Sequence, residues 1–178
     1  MQQIVLGETV VVWTPQRPRT APGPSAAPGQ TRALSFDQAR ALADSPIWQP
    51  TYLPSPGLLL DRERVGVDMA TIDRAQKVLR VFLKYRETPL RWLVLSQTRI
   101  VKPQGGGANR LAILYALQAG SIANAPAAFF SHTVSATALP AGQQTIVHCL
   151  WERAGFLMQL QAPQPFAGDL VRIGEGLA

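Results

Sequence analysis

Period-two alternation is the feature that most limits what this chain can become. From Thr145 to Glu152 and again from Phe156 to Leu160, apolar and polar residues take turns, with a turn containing Gly155 between the runs. Side chains of an extended chain point alternately to opposite sides, so such runs make strands with one dry side. With Trp151 set opposite Phe156, one side collects Val147, Cys149, Trp151, Phe156, Met158 and Leu160. His148, Glu152, Gln159 and Gln161 take the other. This reads as a half-buried antiparallel hairpin. Leu170, Ile173 and Leu177 recur at helical spacing, which predicts a closing helix within Gly168–Leu177 lying on the apolar side.

The same alternation marks Val78–Tyr85 and Leu90–Thr98 as the clearest strands, joined as a hairpin by 86–89. If Tyr85 faces Leu90, then Leu79, Val81, Leu83, Tyr85, Leu90, Trp92 and Val94 share a core side. Arg80, Phe82, Lys84, Arg91, Leu93 and Leu95 share the other. Two candidate surfaces follow. Leu79, Val81, Leu83, Trp92 and Val94 would line an apolar hollow, and Arg80, Lys84 and Arg91 would form a basic interaction face.

Further strands are expected at Thr9–Trp13, from Leu58 towards Val67, at 109–119 (strand preferred over helix) and at Ala127–Leu139, where Pro140–Gly142 turns the chain. Asp68–Gln76 reads as a polar connection. Ser35 with Gln38 makes a capping box for a short helix with Phe36 and Ala39 on its apolar face, ending by about Asp44 ahead of Pro46. Pro50 and Pro54 force an extended segment. Pro15–Gln30 is too poor in large apolar groups to offset its ordering entropy and reads as a linker. The division is therefore 1–33, an N-terminal strand with a Pro-rich linker, and 34–178, a single α+β domain: a curved, mostly antiparallel sheet with a short N-terminal helix and a C-terminal helix packed on it.

Composition narrows the chemistry. Fifteen prolines and fourteen glycines disfavour long helical bundles. One cysteine excludes an internal disulfide, and His132 and His148 are too few for a Cys/His zinc set. His148 and Cys149 are strand neighbours, so they point to opposite faces and do not pair as base and nucleophile. Cys149 reads as core, and both histidines as ordinary sheet-surface residues. The acidic residues are scattered, and Gly105–Gly107 lacks the Lys-Ser/Thr ending of a phosphate loop. No catalytic, metal or cofactor-binding residue is assigned. The net charge of +6 is concentrated between Arg74 and Arg110, where Glu87 is the lone acid. No nucleic-acid module accompanies those cations, so nucleic acid is not an expected partner. No run approaches the roughly 18 apolar residues of a membrane span.

In order, several motifs carry a resemblance: Leu34-Ser35 with Ala39, then Pro50, Tyr52-Leu53-Pro54, a strand ending in Tyr85 and a strand leading to Ser96-Gln97. Leu150-Trp151-Glu152 with Gly155-Phe156 continues it, and the close is Asp169-Leu170-Val171-Arg172-Ile173-Gly174-Glu175-Gly176-Leu177. Over Leu34–Leu177 the chain resembles the extracytoplasmic domain of unknown function found in bacterial anti-sigma factors and envelope lipoproteins. That family is similar in outline to periplasmic lipoprotein carriers. The resemblance implies a non-enzymatic sensory or protein-interaction domain outside the cytoplasm, tethered to the membrane through a segment before Gln2. A native start at Met1 would make it cytoplasmic instead. The alternative implied by the carrier outline is a protein that holds a lipid or acyl chain in the hollow of its sheet.

Overall fold

Two-residue turns fold most of this chain back on itself. Asp73-Arg74, Ala123-Asn124 and Ala154-Gly155 have both residues at positive φ, a hairpin turn whose twist matches that of the strands it joins. At a fourth turn, the Thr88 hydroxyl accepts the N–H groups of Leu90 (3.3 Å) and Arg91 (3.1 Å). The computed structural model describes residues 2–15, 31–103, 105–135 and 142–178. The expected linker from 16 to 30 and most of the turn at Pro140–Gly142 lie outside them.

The chain forms β1 (Gln3–Val5), β2 (Thr9–Trp13), β3 (Arg32–Leu34), α1 (Phe36–Leu42), β4 (Leu59–Leu60), β5 (Val65–Ile72), β6 (Ala75–Thr88) and β7 (Arg91–Arg99). There follow β8 (Asn109–Ile113), β9 (Gln118–Ile122), β10 (Ala125–Ser135), β11 (Gln143–Arg153), β12 (Phe156–Pro163), a 3-10 turn (Gln164–Asp169) and α2 (Leu170–Glu175). β5-β6-β7 make one antiparallel meander and β9-β10-β11-β12 another. They join where β7 pairs with β12, giving the order β3-β5-β6-β7-β12-β11-β10-β9, with β4 beside β6. β8 lies between the meanders in sequence but leaves their sheet to run parallel to β2, and β1 completes a second, three-stranded sheet. The fold is thus mostly β, with strands paired antiparallel except β2 with β8, two short helices and a large sheet that is not strongly curled. Helix contributes less than the expected α+β class implies.

Two cores result. On one face of the large sheet, Phe36, Trp48, Phe166, Leu170 and Ile173 cover Leu83, Leu95, Trp151, Met158 and Leu160. On the other face, Ile4, Leu6 and Val11 of the small sheet pack on Ala128, Phe130 and Leu150. Thr9–Trp13 is therefore built into the body of the protein, and β3 straddles the expected boundary at 33/34. Asp68–Gln76, expected as a connection, is a strand-turn-strand with only Asp73-Arg74 between β5 and β6. β8 and β9 are strands, as preferred for 109–119.

Ser35 caps α1: its hydroxyl accepts the Gln38 N–H (3.2 Å) while the Gln38 side-chain oxygen accepts the Ser35 N–H (2.9 Å). The helix follows β3 and does not head the chain. The closing helix is shorter than expected. It stops at Glu175, and Leu177 leaves it to bridge to Pro50.

Candidate functional site

Register decides which side chains share a surface, and one irregularity overturns the grouping expected for β6 and β7. Their pairing shifts between Arg86 and Thr88, leaving Glu87 as the extra residue, and Tyr85 faces Leu93 where Leu90 was expected. Moving the partner by an odd number of residues sends every β7 side chain to the opposite face. Val81, Leu83 and Tyr85 thus share the core with Leu93 and Leu95, all of them at most 5% exposed. Trp92 and Val94 lie on the other face with Phe82 and Lys84. A second shift, between Asp68 and Met69, leaves Leu79 unpaired with β5 and turned away from the core. The five residues expected to line one hollow are therefore divided between two faces. Val81 and Leu83 sit in the packed core among the residues that carry Phe36 and Leu170.

The basic face also separates. Arg80 and Lys84 stay together, Arg80 lying 4.0 Å from Asp68 and 5.4 Å above the Phe82 ring. Arg91 is on the core side, with its guanidinium 5.5 Å from the Phe166 ring centre and 2.9 Å from Glu87.

For β11 and β12 the expected grouping of faces stands although the register differs. Trp151 pairs with Met158 and Arg153 with Phe156, a shift of two residues, which preserves each side chain's face. The face expected to be polar, however, is covered. Ile146, His148 and Leu150 are each buried: the small sheet packs on Leu150, and the Phe130 and His132 rings of the neighbouring β10 stack on His148.

Burial brings together the two histidines. Phe130 is opposite His148, which sets His132 diagonally across the strand pair. The His148 Nε2 is 3.0 Å from His132 Nδ1, and its Nδ1 is 3.2 Å from the Gln159 amide nitrogen. With Gln159 donating to His148 Nδ1, the His148 Nε2–H donates to His132. Rings stack through the group: Phe130 on His148 at 4.4 Å, His148 on His132 at 4.9 Å, and His132 on the half-exposed Tyr115 at 4.9 Å. Burial, and then the neighbouring His132, lowers the His148 pKa to about 4, so its imidazole is neutral at pH 7. Cys149 points into the opposite core, where burial pushes its thiol well above its ordinary value and leaves it unreactive. The sequence reading missed the histidine pair, although a hairpin centred on Pro140 already puts residues 132 and 148 within one diagonal of each other.

Other polar side chains hold elements in place. Glu152 accepts the backbone N–H groups of Glu8 (2.9 Å) and Thr9 (2.5 Å), clamping the β1-β2 turn to β11. Gln97, 2% exposed, accepts the Trp48 N–H (3.1 Å) and donates to the Trp48 carbonyl (2.7 Å), fixing the proline-bounded segment against β7. Tyr52 donates to Asp169 (2.8 Å), and the Arg172 guanidinium lies 3.8 Å from the Tyr52 ring centre. The segment around Pro50 and the closing segment, far apart in sequence, are thus one structural unit.

The remaining feature of functional interest is the edge strand β9. Gln118, Ala119, Gly120 and Ser121 are exposed, and none is charged. Among the described residues, the side of β9 facing away from β10 has no strand partner. Leu114 (41% exposed) and Tyr115 (40%) lie just before it. No group of three or more His, Cys, Asp or Glu residues suited to holding a metal ion occurs among the described residues. No family model, curated protein or solved structure matches the chain.

Proposed function

We propose that the chain is a non-enzymatic protein-interaction domain of the extracytoplasmic, anti-sigma-factor type that its sequence resembles, and that its partner adds an extended segment to β9. The observation carrying this reading is the unpaired edge of β9, whose residues 118–121 are exposed while α2 packs on Ile122 at its end. Proteins ordinarily blunt an exposed edge strand with lysine, proline, a bulge or a covering element, and β9 has neither lysine nor proline. Its unpaired backbone groups can complete a ladder with an incoming strand, which supplies affinity, while flanking side chains supply selectivity. Ala119 and Ser121 leave room for bulkier partner side chains, while the space over Gly120 is taken by the Phe129 ring, and Leu114 and Tyr115 offer apolar grip beside them. Burial of Cys149 away from His148 fits the non-enzymatic part of the reading.

The test uses a photoreactive residue at Ser121 in producing cells, followed by the same capture in an Ala119→Lys background. A discrete crosslinked partner that disappears with Ala119→Lys, while the melting temperature is unchanged, supports the proposal. Crosslinks that persist undiminished with the lysine present, or none in any background, refute it.

A further inference from the structure

Two imidazoles in hydrogen-bond contact hold one added proton between them but not two, and this limit is built into His132 and His148. With both rings neutral, the His148 Nε2–H donates to His132 Nδ1 across 3.0 Å. One proton from solvent enters without breaking the contact. It goes to His148 Nδ1, where the Gln159 amide turns its oxygen to accept it, and the hydrogen between the rings shifts to His132. The charge then rests on the partly exposed His132, and His148 stays neutral. A second proton puts a hydrogen on both facing nitrogens, so no lone pair is left between two like charges and the rings must separate.

The surroundings of the pair do not offset that second charge, and one ring is better placed to leave than the other. Among the described residues, no charged side chain of β10 or β12 shares the face of His148, and the small sheet packs Ile4, Leu6 and Val11 on that face. The carboxylate on that face of β11, Glu152, holds the backbone N–H groups of Glu8 and Thr9. His148 is 6% exposed and fixed by Gln159 and the Phe130 ring. His132 is therefore the ring that moves, and Tyr115, the remaining titratable neighbour, is stacked on it at 4.9 Å and 40% exposed. Tyr115 lies in 114–117, the segment joining β8 to β9. Leu117 is anchored separately, in the small core and through its carbonyl, which accepts the Gln2 amide N–H at 2.6 Å. Loss of the ring contact thus frees Leu114 and Tyr115 and leaves β9 seated.

We infer that the His132–His148 pair is an acid-operated latch: it holds Tyr115 against the body of the protein until both rings carry a proton, and then releases it. The latch itself is independent of any partner. Leu114 and Tyr115 are also the apolar residues beside the β9 edge, so a further consequence, which rests on the reading that a partner strand adds to β9, is that acid loosens the partner's grip. The direction follows from proton counting. Between about 6.5, ordinary for histidine, and about 4, the open form binds one proton more than the closed form. The ratio of open to closed therefore rises by up to about tenfold per pH unit as pH falls through that range, and is constant above it.

Fluorine NMR of the full chain labelled with fluorotyrosine tests the inference. The chain has three tyrosines, and the Tyr115 signal is identified by its loss in Tyr115→Phe. As pH falls from 7 to 4.5 that signal should move towards the position of free fluorotyrosine, while the signal of Tyr85, 4% exposed in the main core, stays in place and reports an intact fold. His132→Gln keeps a hydrogen-bonding partner for His148, and His132→Phe keeps a ring under Tyr115; neither carries the second charge. At least one of these variants should hold Tyr115 at its pH 7 position down to pH 4.5. The inference is overturned if the Tyr115 signal does not move in the parent, if it moves only together with that of Tyr85, or if Tyr115 is free at pH 4.5 in both variants. The measurement needs no partner, so its failure is distinct from a failure of strand addition at β9.

Discussion

At the scale of single residues, two buried polar side chains make opposite demands on the fold. Gln97 satisfies both backbone groups of Trp48. Gln97→Ala strands them beneath the surface, and each orphaned buried group costs about 1–3 kcal/mol. A loss of about 2–4 kcal/mol in urea unfolding at pH 7 is expected from such a pair, and a loss under 1 kcal/mol would show that water reaches Trp48 instead. His148 does the reverse: it is stable only while uncharged. Its pKa is near 4 folded and about 6.5 unfolded, so above pH 6.5 neither state binds the proton. As pH falls below 6.5 the unfolded chain takes up a proton that the native state refuses. Stability therefore drops towards pH 4 and levels off below it. By pH 5 the loss attributable to His148 is about 2 kcal/mol. His148→Phe keeps a ring on Phe130 and should flatten unfolding free energy between pH 7.5 and 5. An undiminished slope in that variant would assign the effect elsewhere.

At the scale of elements, α2 shows how close packing reverses a helix-propensity argument. Gly174 lies inside the helix and is buried; a Cβ there would come within 2.9 Å of the Ile122 Cδ1 and 3.4 Å of Trp151. Propensity alone favours alanine over glycine by about 1 kcal/mol, but overpacking a filled site costs about 1–3 kcal/mol. Gly174→Ala should therefore lower the melting temperature. Ile122→Val removes the nearer of two close Ile122 methyls, the Cγ2 at 3.0 Å remaining, so the double variant should be more stable than the sum of the two single changes. Strict additivity would mean the clash is relieved by movement of the helix. The element as a whole carries more. Leu170, Ile173 and Leu177 are at most 6% exposed, and large apolar side chains contribute about 1.5–3 kcal/mol each on burial. Gln49 and Ala178 also exchange backbone hydrogen bonds, N to O at 2.9 and 3.0 Å. Deleting Asp169–Ala178 should abolish cooperative thermal unfolding; a truncated chain that melts as sharply as the parent would make the helix a detachable element.

At the scale of the molecule, the two cores lie on opposite faces of the large sheet and are unequal. The larger contains both meanders and the helices, whereas the smaller depends on β1 and β2 being clamped by Glu152. Deleting residues 1–15 is expected to leave a cooperative transition at lower temperature, with Phe130 and Leu150 uncovered and dye binding increased. Complete loss of the transition would make the small sheet essential to the fold. Glu152→Ala should produce a milder form, with faster amide exchange in β1 and β2 and little change in β6 or β7.

How much of this was legible beforehand follows from the range of the forces involved. Alternation identified β6, β7, β11 and β12, and Ser35 with Gln38 located the start of α1, because strand pleat and helix capping act within a few residues. The faces of β11 and β12 were readable for the same reason, since an error of two residues leaves each side chain on its side. The faces of β6 and β7 were not, because one extra residue at Glu87 inverts the parity and no local propensity announces it. Nor does any local signal tell a strand that a second sheet will cover its polar side. His148 looked like a surface residue until the Phe130 and His132 rings of β10 stacked on it and Gln159 bonded to it, on the face of the large sheet that the small sheet packs against. The local chemistry of the chain determined its elements and where they turn. Only the tertiary structure decided which faces became buried, because that depends on contacts between residues more than a hundred positions apart, such as Glu8 and Glu152.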